Sequence, residues 1–217
     1  MADTSVMSTR ADGLAPIRNE PVQARSTARL AALLDAAAHV IDEIGYERLT
    51  TAMVADRAGA SIGTVYRYFP DRIAVLQSLA ARNVDRVGEH ALAELKDRRH
   101  EDWQSAMDAG FGVYTEAFRR EPGFAALRFG DVLDLRPFVA IPALRLISER
   151  SGAVLVDRFG MADSDEARLA LQSVLTLSDA IAADAFQRDP QGDPAVLRHA
   201  TVARDALLKE YFPASAR

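Results

Sequence analysis

The chain has 217 residues, 49% of them hydrophobic, and a formal net charge of −5, so it can bury a core as one large domain or two small ones. It contains no cysteine, which excludes a disulfide frame, a thiol nucleophile and a thiolate metal site. The opening MADTSVMSTRADGLAP lacks the basic start and apolar stretch of a secretory signal, and no run of about 18 apolar residues stands out. A cytoplasmic chain with no membrane partner is expected.

Residues 1–21 are polar, with Gly13, Pro16 and Pro21 and no apolar period, and read as a flexible arm. From Ser26 a helix is predicted, because Leu30, Leu33, Leu34, Ala37, Ile41 and Ile44 fall on one face; Gly45 follows as a left-handed cap. Thr50 caps a short helix with Val54, Ala55 and Ala58 inside, and Gly59 stops it. Ser61 caps a third helix that Pro70 ends. Asp71 caps a long fourth one with Ile73, Leu76, Ala80, Val84, Val87, Ala91 and Leu95 as its buried stripe.

Further on, Trp103, Met107, Gly110, Phe111, Tyr114 and Phe118 share one side of a helix that Glu121-Pro122-Gly123 breaks. Residues 124–135 are less regular, and a helix runs from Pro137 or Pro142 to Phe159. Asp163 and Glu166 have capping-box spacing ahead of a helix to about Gln187, and Asp193 with Pro194 opens the last one. No strand alternation occurs. The expected fold is all-α, with about nine helices.

On the third helix, Val65 and Phe69 lie four apart and share an inward face. Gly63, Thr64, Arg67 and, in part, Tyr66 and Tyr68 lie outward, where a purely structural helix prefers Glu or Lys. Two short helices around a tight Gly-containing turn, with hydroxyls and a guanidinium exposed on the second, can place a helix in a DNA major groove. The hydroxyls suit phosphate oxygens, Arg67 suits a base edge or the backbone, and Gly63 permits close approach. Arg72, in the next helix's first turn, adds charge for another phosphate. Half-buried packing with a solvated face is the structural alternative.

Residues 26–76 resemble the DNA-binding domain of the tetracycline-repressor (TetR) family, through LLDAAAHVIDEIGYERLTTAMVADRAGASIGTVYRYFPDRIAVL. Ala60 and Arg72 stand where that pattern commonly has an aliphatic residue and Lys. The resemblance implies a helix-turn-helix domain over 22–72 and an effector-binding and dimerisation domain over 73–217. It also implies a homodimeric, ligand-responsive transcription regulator, usually a repressor, that binds double-stranded DNA at a palindrome-like operator. By motif position Thr51, Ser61, Ile62, Gly63, Thr64, Tyr66, Arg67, Tyr68 and Arg72 are the DNA-facing set, with Arg25 and Arg29 as further backbone contacts.

The resemblance also implies a dimer through the last two helices. Their pattern suits this: Leu171, Val174, Leu175 and Ser178 form one stripe and Ala170, Ser173, Leu177 and Ala180 another, so two faces need cover. Trp103, Phe111, Tyr114, Phe118, Phe124, Phe129 and Phe138 concentrate where the family keeps its small-molecule effector, and read either as plain core or as the lining of a cavity for a mainly apolar ligand. Gly110 and Gly112 leave space there, and Pro137 and Pro142 bracket a break. Asp179 faces solvent, an interface or a polar group of that ligand. His39, His90, His100 and His199 have neither metal-ligand spacing nor a catalytic arrangement, so no enzyme, metal or cofactor is expected. A helical interaction or scaffold protein without DNA binding is the alternative reading.

Overall fold

The computed structural model describes residues 20–129 and 136–213, with side chains at 24–127 and 145–213. Among the described residues it is all-helical, without a strand. Helix α1 (Glu20–Ile44) leads through a 3-10 turn at Tyr46–Arg48 to α2 (Thr51–Arg57), α3 (Ile62–Tyr68) and α4 (Arg72–Lys96). The chain continues with α5 (Trp103–Arg120), α6 (Phe124–Phe129), α7 (Arg136–Phe159), α8 (Asp165–Arg188) and α9 (Pro194–Leu208), closed by a 3-10 turn at Lys209–Tyr211.

Local hydrogen bonding fixes most helix starts. Thr50, Ser61, Asp71 and Asp193 accept the amides of Met53, Thr64, Ala74 and Ala195, as the cap residues predict. Four expectations are corrected. Helix α1 starts at Glu20 rather than Ser26, so Glu20 and Pro21 of the expected arm are helical; the rest of that arm lies outside the described residues. Gly45 has the positive φ of 83° that favours glycine, but its ψ of 156° is extended, not left-handed helical. Ser164, not Asp163, caps α8 by accepting the Ala167 amide, while Asp163 pairs with Arg168. Helix α7 passes through both Pro137 and Pro142, so no break lies between them.

Among the described residues, three hydrophobic clusters follow from the helix faces. The first joins Leu33, Leu34, Ala37 and Ile41 of α1 to Val54, Val65, Phe69, Leu76 and Leu79. Its buried aliphatic side chains each contribute roughly 1.5–3 kcal/mol. A second holds Leu95, Trp103, Met107, Leu155, Leu171, Val174, Leu208 and Phe212, with Trp103 stacked on Phe212 at 4.3 Å between centroids. The third gathers Val87, Phe118, Phe124, Ala182 and Phe186. Helix α4 is the common element, packed on α1 near its start and on α5 and α7 beyond. It therefore buries more than one stripe, including Val75, Leu79, Asn83 and Leu92 outside the predicted face.

The turn after α5 is docked directly onto α1. Gly123 donates its amide to Asp42 at 3.2 Å and has φ of 70°; a Cβ there would lie 3.0 Å from the Ala38 carbonyl and 3.2 Å from Ile41. Only glycine combines that backbone with so close an approach. Asp35 pairs with Arg82, and Arg86 with Glu121, on either side of the same junction.

Candidate nucleic-acid interface and ligand cavity

Helix α3 is held from below by Val65, 0% exposed, and Phe69, 2% exposed. This anchoring aims the other side outward: Ser61, Ile62, Gly63, Tyr66 and Arg67 are exposed, and Thr64 is half-buried. Ile62 and Tyr66 are large apolar or aromatic side chains left open at 42% and 54%, joined by Met53 of α2 at 41%. Arg67 makes no hydrogen bond or ion pair with any described residue. A Cβ on Gly63 would meet nothing nearer than Ser61 Oγ at 3.9 Å, so the fold itself does not require glycine there. In a helix that residue costs about 0.5–1 kcal/mol relative to Ala.

The remaining members of the expected set are tied down in different ways. Ser61 and Thr64 share a hydroxyl hydrogen bond of 2.9 Å within the cap. Thr51, half-buried, donates to the Tyr66 hydroxyl at 3.4 Å. Tyr68 is half-buried against the first cluster and its hydroxyl meets Ser26 Oγ at 3.2 Å, joining α3 to α1. Arg72 is half-buried and donates to the Glu47 carbonyl at 2.7 Å, which holds the 3-10 turn. Arg25 and Arg29 are exposed on α1. The outward set is thus narrower than expected: Ile62, Gly63, Tyr66 and Arg67 are free of internal duties or nearly so, whereas Tyr68 and Arg72 also serve the fold.

The aromatic segment divides as well. A cavity of about 140 Å³ lies between α4, α5, α7, α8 and α9, lined by Val84, Gly88 and Ala91 on one side and Phe111, Tyr114 and Phe124 on another. Of the expected lining residues, Phe111, Tyr114, Phe124 and Asp179 reach it. Trp103 and Phe118 are instead packed in the second and third clusters, Phe118 stacked on Phe186 at 4.5 Å. The side chains of Phe129 and Phe138 lie outside the described residues. Tyr114 donates its hydroxyl to Asp179. Gly110 lines the cavity, but the room left by its missing side chain is occupied by Leu95, 2.8 Å from where a Cβ would stand. Gly112 faces outward.

Two charged members were missed. Arg204 lines the cavity with its side chain 6% exposed, paired with Asp108 at 2.5 Å, Asp108 being 50% exposed. Arg204 also meets Asp205 at 2.8 Å and donates to the Gln104 carbonyl at 3.1 Å. The sequence did hold a signal, since Arg204 stands four residues after Ala200 and four before Leu208, both buried, in the stripe of α9 that faces inward.

Helix α8 packs on both α9 and α7, leaving Leu169, Leu177, Val202 and Leu207 exposed. Helix α8 is long and apolar enough to cross a membrane by length and composition, contrary to the expectation of no such run, and only 28% of its apolar window is buried within the chain. Among the described residues, no group of three His, Asp or Glu side chains is arranged to hold a metal ion.

Residues 33–79 match the family model of bacterial regulatory proteins, tetR family. The HTH-type transcriptional repressor KstR of Rhodococcus jostii is 40% identical over 55 residues, which are 25% of this chain and 26% of that repressor; the similarity spans about a quarter of that relative. Over nearly the whole fold, a TetR-family transcriptional regulator from Streptomyces coelicolor superposes with a TM-score of 0.68 at 29% identity, covering 84% of this chain and 99% of the other. A regulator described as TetR-family from Mesorhizobium loti shares the fold with a TM-score of 0.66 at 16% identity, covering 87% and 99%.

Proposed function

The chain belongs to the TetR family of bacterial regulatory proteins, and on that premise we propose that it is a cytoplasmic transcriptional repressor. Two copies form a homodimer that sets a pair of α3 helices into successive major grooves of a palindrome-like operator, about 34 Å apart. The observation that carries this is the outward face of α3. Gly63, Tyr66 and Arg67 are presented on a helix whose inward residues are fully buried, and their chemistry suits phosphate and base edges. A scaffold protein has no use for a glycine that weakens an exposed helix.

Dimerisation through α8 and α9 is supported by their unpartnered apolar side chains. A face bearing Leu169, Leu177 and Val202, each more than 40% exposed, gains by meeting its own copy across a two-fold axis. The cavity is the effector site. Helix α4 carries Val84, Gly88, Ala91 and Leu95 in its wall and begins directly after the DNA-reading helix. Phe124 is also in the wall, next to the Gly123 that rests on α1. A ligand that fits one tilt of these elements better than another shifts the spacing of the two readers and releases DNA.

The test is a gel-shift titration of the protein against DNA from beside its own gene, over a range of salt. Binding is expected to weaken steeply as salt rises, as phosphate-dominated recognition requires. Failure to retain any DNA fragment at low salt would favour the scaffold reading.

A further inference from the structure

The cavity has two polar ends. On α5, Asp108 and Tyr114 are six residues apart, about 9 Å along the axis; Tyr114 meets Asp179 at one end, and Asp108 meets Arg204 and Thr201 at the other. The walls between are mainly apolar, with Ser151 and Ser178 among them. Resting on the effector-cavity reading, we propose that Arg204 is the receptor for a ligand carboxylate, so the effector is a small organic acid with an apolar body.

The asymmetry of the ion pair argues for this. Arg204 is 6% exposed on its side chain and Asp108 is 50% exposed, so the guanidinium is fixed inside while its partner stands at the boundary with water. A buried ion pair is a poor stabilising device, because desolvation offsets most of its Coulomb attraction. A ligand carboxylate can take the Asp108 position on Nη1, and Asp108 then turns into solvent at small cost. The count of charges around Arg204 is unchanged by that exchange, since one carboxylate replaces another and Asp205 stays in place. Neither an alcohol nor an amine preserves the count. Guanidinium geometry also favours a planar carboxylate over a point acceptor. The volume of about 140 Å³ limits the body, since an apolar cavity of roughly 150 Å³ takes a benzene-sized guest.

The exchange has a mechanical result. Arg204 ties α9 to α5 through Asp108 and the Gln104 carbonyl, so its change of partner loosens the contact between the cavity wall and a helix of the proposed dimer face.

Hexanoate, 1-hexanol and hexylamine are the probes, each titrated calorimetrically into the full chain and then into its complex with operator DNA. Hexanoate is expected to bind at least about tenfold tighter than either isostere, and Asp108→Asn to raise hexanoate affinity several-fold by removing the internal competitor. Asp108 is half-exposed, so this variant folds where Arg204→Met is at risk. Equal or tighter binding of 1-hexanol or hexylamine with DNA release keeps the effector cavity and overturns the carboxylate assignment, as does an Asp108→Asn variant with unchanged hexanoate affinity. Hexanoate binding without DNA release keeps the carboxylate site and rejects its regulatory role. No binding by any of the three rejects both.

Discussion

Helix α3 and helix α8 both leave side chains uncovered, but with opposite chemistry. The open face of α3 carries glycine, a phenol and a guanidinium beside one isoleucine. The open face of α8 carries Leu169 and Leu177, with Val202 of α9 adding to it. Uncovered hydrogen-bonding groups suit a hydrated, charged partner, and uncovered aliphatic groups suit a second apolar surface. The class of each partner is therefore written in what an element refuses to bury, more than in what it buries.

The strongest way to break that contrast is Leu177→Arg. It places a charge in the apolar face and is expected to weaken self-association by on the order of 2–4 kcal/mol, read by light scattering on a sizing column. An undisturbed dimer would move the interface elsewhere. Arg67→Ala comes next: it should cost operator binding about 1–3 kcal/mol in gel-shift titration while leaving the melting temperature unchanged, because Arg67 has no partner within the described chain. Gly63→Ala sharpens the comparison by separating two signs. Thermal unfolding should show a gain of about 0.5–1 kcal/mol in stability, and the operator should be bound more weakly; a gain in both would mean that no partner approaches Gly63. Tyr66→Phe has the smallest effect, a loss of roughly 0.5–1 kcal/mol in DNA binding, with no change in the dimer.

Sequence pattern reached the first four helices more surely than the cavity for a physical reason. A cap is a contact across three residues, so Thr50, Ser61 and Asp71 can be recognised from their neighbours alone. The one N-cap misplaced, at Asp163, lies beside Ser164, an equally good acceptor; Arg168 engages Asp163 and leaves the serine to the helix. Helix α1 begins earlier than its apolar period, and residues 24–29 near its start are all exposed, with no buried face to mark them. Whether a residue lines a space or fills one depends on helices far away in the chain. Phe111 and Phe118 stand on the same predicted face, yet one reaches the cavity and the other stacks on Phe186. Arg204 was overlooked because a charged residue in an apolar stripe reads as an interruption unless its distant partner on α5 is seen.

Helix α1 is bonded near both ends, to Tyr68 of the reader at Ser26 and to the Gly123 turn at Asp42. Sixteen residues, about 24 Å of helix, separate these two attachments, and neither glycine nor proline interrupts them. With no residue of the kind that kinks a helix, such a rod would, under the proposed release mechanism, carry a displacement beside the cavity to the groove-facing end as a swing. In that mechanism the N-terminal helix would be the lever, with its fulcrum in the first hydrophobic cluster, and the amplitude of the swing would be set by a length that the chain carries before any ligand is bound.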